Sequence, residues 1–114
     1  MVLIEDNPSD ALLITGLLDG GFAVTHAPDL QSGFAAVQVP CDIVLLDLFL
    51  PDSRGLDTFV QFHSLHPELP ILVMSGLDDE HFAESAVRDG AQDYLVKGQI
   101  DEVLLRRAVR YAIE

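Results

Sequence analysis

The chain has 114 residues, six basic against nineteen acidic side chains, and a formal net charge of −13 at pH 7. That length favours one domain, and that charge argues against direct binding of nucleic acid or an anionic membrane, since either polyanion would be repelled. An apolar share of 49% is too high for an acidic disordered tail, and a lone cysteine, Cys41, excludes an internal disulfide and fits a reducing, cytoplasmic setting. No apolar run approaches the roughly 18 residues of a membrane helix. Ile43 to Leu46 stops at Asp47, and Ile71 to Met74 lies between Pro70 and Ser75. The opening Met-Val-Leu-Ile meets Glu5-Asp6 at once, unlike a signal peptide.

In chain order, Val2-Leu3-Ile4 is apolar throughout, as a strand buried between two helix layers must be. Asn7-Pro8-Ser9-Asp10 carries a helix start: an N-cap, proline at the first helical position and an acid in the first turn. Leu13, Leu17 and Leu18 supply an apolar stripe, and Gly20-Gly21 the stop. Phe22 to His26 reads as strand two, and Asp29 caps a second helix through Phe34 and Val37 to Pro40. Ile43 to Leu46 is strand three, followed by a helix from Gly55 through Leu56, Phe59 and Leu65 to Pro67. Ile71 to Met74 is strand four, and helix four runs from Asp78-Asp79 through Phe82, Ala86 and Val87 to Gly90. A fifth strand begins near Asp93, and helix five places Leu105, Ala108, Val109 and Ala112 at i, i+3, i+4 and i+7. This (βα)5 alternation predicts an α/β fold: a doubly wound parallel five-stranded sheet covered on both faces, a flavodoxin-like three-layer sandwich. The strand order 2-1-3-4-5 is taken from known sheets of that kind.

Open parallel sheets bind ligands beyond the carboxyl ends of their strands, where strand order reverses. Strand one ends in Glu5-Asp6, strand three in Asp47 and strand four in Ser75, and strand five runs into Lys97, the chain's one lysine. With strands one and three adjacent, three carboxylates converge and repel unless a cation joins them. Hard oxygen donors with room for water suit Mg2+, with Mn2+ as a substitute. A metal, a cation, a hydroxyl and a carboxylate nucleophile are the parts of phosphoryl transfer, with Asp47 forming an acyl phosphate.

Four segments carry a resemblance over nearly the whole chain: Leu3 to Pro8, Asp42 to Asp52, Val73 to Gly76, and Gly90 to Lys97. Together, and in this order, they resemble the receiver domain of two-component response regulators, in the chemotaxis-regulator-like superfamily. The resemblance implies one receiver domain over 1–114 whose Asp47 accepts phosphate from a phosphohistidine of a sensor histidine kinase or histidine phosphotransfer protein. It implies Mg2+ held by Glu5, Asp6, Asp47 and the main-chain carbonyl of Phe49. Ser75 matches the hydroxyl that bonds the phosphoryl group, Tyr94 the aromatic switch residue, and Lys97 the lysine that pairs with phosphate. It also implies a signalling face of helix four, strand five and helix five, read by an output domain or partner and available for homodimerisation. The acidic pair is Glu-Asp where Asp-Asp is usual. Apolar Phe49 and Leu77 stand two positions beyond Asp47 and Ser75, so slow loss of phosphate is expected.

Other residues receive plainer readings. Tyr94 is also explained as a half-buried strand aromatic, and Cys41 as a small packed residue. His63 and His66, spaced i, i+3, lack further ligands at metal spacing and read as solvated helix residues, while His26 and His81 carry no signal. Asp47-Leu48-Phe49 lacks the second aspartate that dehalogenase-like phosphatases place two positions on, so a stand-alone enzyme is not expected. The rival reading is a receiver-like docking module that works without phosphorylation. The short first strand and the end at Ile113-Glu114 lead us to expect a piece of a longer parent. The acidity is uneven: residues 1–87 hold fourteen acids and one base, residues 88–114 five of each.

Overall fold

A computed structural model describes residues 1–114. Strands β1 (Val2–Ile4), β2 (Thr25–Ala27), β3 (Val44–Asp47), β4 (Ile71–Ser75) and β5 (Asp93–Val96) form one parallel sheet in the order β2-β1-β3-β4-β5. In register, Val2 faces Thr25 on one side and Val44 on the other. Asp47 faces Met74, and Ser75 faces Val96. The order therefore reverses between β1 and β3, as expected. A two-residue hairpin, Phe49–Leu50 with Ser53–Arg54, follows β3.

Helices α1 (Pro8–Leu18), α2 (Leu30–Ala36), α3 (Leu56–Leu65), α4 (Glu80–Arg88) and α5 (Glu102–Ile113) join the strands. Alternate strand residues feed two cores, as the period of two requires. Leu3, Leu45, Leu72 and Met74 meet Ile14 and Leu18 of α1 and Leu105 and Val109 of α5. Ile4, Val44, Leu46 and Val73 meet Leu30 of α2, Phe59 and Phe62 of α3, and Ala83 and Ala86 of α4. Three layers result, and β1, β3 and β4 are buried along their whole lengths.

The structure shifts several expected boundaries. Strand two is Thr25–Ala27 rather than Phe22 to His26, because this edge strand can pair only along the three residues of β1. Phe22 and Val24 instead pack against the α1–α5 core. Helix two ends at Ala36 with Val37 as its cap, short of Pro40, and Val39, the residue before the proline, lies outside the helix. His66 before Pro67 ends α3. Helix four starts at Glu80 after a 3-10 turn over Leu77–Asp79, and Gly90, at φ 129°, takes the backbone past its end. On α1 the buried stripe is Ala11, Ile14 and Leu18, while Leu13 is 52% exposed. Of the expected stripe, Leu18 is buried and Leu17 packs against the core, while Leu13 turns outward.

Candidate functional site

Glu5 and Asp6 follow β1 directly, Asp47 ends β3, and Lys97 opens a 3-10 turn after β5. All lie at the carboxyl edge of the sheet. Asn7 turns the chain there: its side-chain oxygen accepts from the Ser9 and Asp10 amides at 2.9 and 3.1 Å, a cap that contributes about 1 kcal/mol. The Asn7 amide donates to Glu5 Oε2 at 3.1 Å. Glu5 is fully buried and Asp47 is 3% exposed, while Asp6 is open to solvent. One oxygen from each of these three carboxylates lies within 4.8 Å of the others. Such a set of hard donors, one of them open to solvent, can hold a divalent cation.

Lys97 Nζ lies 2.6 Å from Glu5 Oε1, 2.8 Å from Asp47 Oδ2 and 3.3 Å from Asp10 Oδ2. Asp47 Oδ1 accepts the Phe49 amide at 3.0 Å, which orients the carboxylate from behind. Burial, with the Asp47 carboxylate beside it, pushes Glu5 up to about 7 despite Lys97. Burial alone would pull the Lys97 ammonium down, but hydrogen bonds and charge from Asp47 and Glu5 outweigh it and hold the group above the usual lysine range.

Ser75 is fully buried at the end of β4, and its hydroxyl has no partner. In a native fold such an orphan group calls for an acceptor. Tyr94 is half-buried on β5, and its hydroxyl donates to Glu80 of α4 at 3.2 Å. Burial and the acids Glu80, Glu84 and Asp93 push that phenol upward. Phe49 is half-buried and packs edge-on to Phe82, with ring centroids 5.5 Å apart. Leu77 is 66% exposed.

The loop after Asp47 is fastened from below. Thr58 donates to the Leu48 carbonyl at 3.0 Å, Ser53 shares a 2.9 Å bond with Thr58, and the Gly55 amide reaches the same carbonyl at 2.8 Å. Gly55 sits at φ 74°, where a side chain is strained. Asp52, from the same loop, accepts from the Leu30 and Gln31 amides and so caps α2 alongside Asp29.

Three residues at or near the site escaped the sequence reading. Asp10 appeared only as a helix-start acid, yet it touches Lys97. Its placement at the first turn of a helix aimed at the strand ends is the signal that could have found it. His26 carried no signal, yet its Nε2 lies 2.6 Å from the Glu5 carbonyl. That oxygen can only accept, so Nε2 bears the proton and ties β2 to the acidic turn. Asp52 lay inside a matched segment without a role. The plain reading of His63 and His66 is corrected: both are half-buried, because His63 stacks on Phe59 and His66 packs against Phe34 and Phe62. Cys41 is partly buried against the core, as expected.

A family model for the response regulator receiver domain matches residues 1–110. The transcriptional regulatory protein QseB of Haemophilus influenzae is 38% identical over 102 residues, 85% of this chain and 45% of that protein. The probable transcriptional regulatory protein TcrX of Mycobacterium tuberculosis is 34% identical over 110 residues, 93% of this chain and 47% of that protein. Among solved structures, the receiver domain of NtrX from Brucella abortus superposes with a TM-score of 0.89 at 30% identity, covering 98% of this chain and 96% of that one. The chain belongs to the response regulator receiver domain family, the signalling domain of two-component systems. It spans less than half the length of these two curated relatives.

Proposed function

We propose that this chain is a phosphorylation-controlled switch in which Asp47 accepts a phosphoryl group from the phosphohistidine of a sensor histidine kinase or histidine phosphotransfer protein. The observation that carries this reading is a nearly buried Asp47 beside Lys97, at 2.8 Å, with Glu5 and Asp6 oxygens within 4.8 Å. Family membership supports it independently.

An oxygen of the Asp47 carboxylate attacks phosphorus in line with the phosphohistidine nitrogen. The O–P bond forms as the P–N bond breaks, and the imidazole leaves with that electron pair. Glu5, Asp6, Asp47 and the Phe49 carbonyl would hold Mg2+, or Mn2+ in its place. The ion, when bound, neutralises charge on the transferring group. Lys97 pairs with a phosphoryl oxygen, and the orphan Ser75 hydroxyl gains the acceptor it lacks. These contacts exist only with phosphate bound, so they favour one arrangement of α4, β5 and α5 over another. Tyr94, tied to Glu80 of α4, lies on that face. Its reader is an output domain of a longer parent, a partner, or a second copy of the chain. The domain signals and is not a stand-alone enzyme, and its charge keeps it off nucleic acid and membranes. No helix is long and apolar enough to cross a membrane. We place the domain in the cytoplasm.

Incubation with acetyl phosphate followed by intact-mass measurement tests the reading. The expected result is one added phosphoryl group with Mg2+, none with EDTA, and none on Asp47→Asn. If the parent chain gains nothing, or Asp47→Asn gains as much, the switch reading falls and a phosphorylation-independent docking module takes its place.

A further inference from the structure

We propose that Asp10 is a positioning residue that acts through Lys97, serving as the releasable tether the lysine gives up when Asp47 is phosphorylated. The proposal rests on the phosphoacceptor reading above. An ammonium has three protons to donate, and here three carboxylates stand around it: Glu5 at 2.6 Å, Asp47 at 2.8 Å and Asp10 at 3.3 Å. A phosphoryl oxygen that is to pair with Lys97 must displace one of them or reorient it. Asp47 becomes the phosphoryl carrier. Glu5 is fully buried and makes the shortest of the three contacts, so it gives up the lysine less readily than an acid open to water. Asp10 makes the longest contact, and its side chain is 37% exposed, so water replaces the lysine at little cost.

Asp10 is also held in place. Its amide donates to Asn7 Oδ1 at 3.1 Å in the first turn of α1, so the carboxylate approaches Lys97 from the helix side, while Asp47 approaches from the sheet. The plain alternative is an acid that only complements the positive end of α1. That role would affect stability without touching the lysine.

The chain has one lysine, so 15N-lysine labelling gives a single ammonium signal, which can be followed without phosphate or metal. In Asp10→Asn, the ammonium protons exchange with solvent several-fold faster than in the parent chain. With acetyl phosphate and Mg2+, the same variant gains phosphate several-fold faster and holds it longer, because the competitor for Lys97 is gone. Asp10→Glu restores the carboxylate and returns both readouts toward the parent values. Asp78→Asn removes an equally negative, exposed side chain with no Lys97 contact, and it behaves like the parent. Unchanged ammonium exchange in Asp10→Asn overturns the proposal, as does an Asp78→Asn effect on phosphorylation of equal size. If even the parent chain takes no phosphate, the phosphoacceptor reading fails while the ammonium exchange still reports on the tether.

Discussion

Lys97 is the basic side chain that pairs with the acids of the site, and those acids hold it from three directions. An ammonium held this way has its three protons engaged, so pairing with a phosphoryl oxygen would require it to give up one of these contacts. Phe49 matters at the same scale for a different reason. Its ring packs edge-on to Phe82, forming an apolar wall two residues from Asp47, where attacking water is expected to approach. Phe49→Ala opens that wall. The phosphorylated lifetime of Asp47, followed by loss of phosphate after donor removal, is expected to shorten several-fold, while Phe49→Leu keeps most of it. An unchanged lifetime in the Ala variant removes Phe49 from any role in water exclusion.

Between elements, the clearest single fastening joins α1 to α5. Arg106 Nε donates to the Leu17 carbonyl at 3.0 Å and Nη2 to the Asp19 carbonyl at 2.5 Å, satisfying acceptors at the end of α1 that the helix itself leaves open. The same guanidinium pairs with Glu102 and lies 5.9 Å from the Phe22 ring centroid. Arg106→Ala is expected to destabilise the fold by about 1–2 kcal/mol, the range for charged hydrogen bonds reduced for partial exposure. Arg106→Lys is expected to recover little, since a point charge cannot serve two carbonyls as a planar fork does. Urea denaturation measures both. None of this was legible beforehand, because a contact between residues 17 and 106 leaves no mark on local pattern. The strand ends were legible for the opposite reason: an acid or hydroxyl closing a continuous apolar run marks where a buried strand meets solvent. Helix α1 misled at Leu13, which is exposed while smaller Ala11 and Ile14 face the core.

For the molecule as a whole, burial of the charged Glu5 carboxylate works against the fold despite Lys97. Glu5 has an ordinary value of 4.5 and is pushed up to about 7 in the fold, so between those values the native state holds a proton that the unfolded chain has released. Stability measured in EDTA is therefore expected to fall as pH rises from about 4.5 to about 7. Added Mg2+, if held by the deprotonated set as proposed, is expected to reverse that slope by mass action. Identical pH slopes with and without Mg2+ would sink the metal assignment. The charge pattern gains meaning at this scale as well. Arg106, Arg107 and Arg110, with Glu102 and Glu114 among them, line a groove of about 400 Å³ on α5, at the far end of the chain from the acidic pair.

Strand β4 is buried along its full length and hydrogen-bonded to a neighbour on each side. It has no slack. Ser75 is its last residue, and the connection to α4 is only Gly76 to Asp79, partly or fully exposed. Any backbone displacement at the end of β4 must be absorbed in those four residues. In the proposed switch this buried strand would be the fulcrum and α4 the arm. Shortening or rigidifying the connection would disconnect the arm while leaving the chemistry at Asp47 intact.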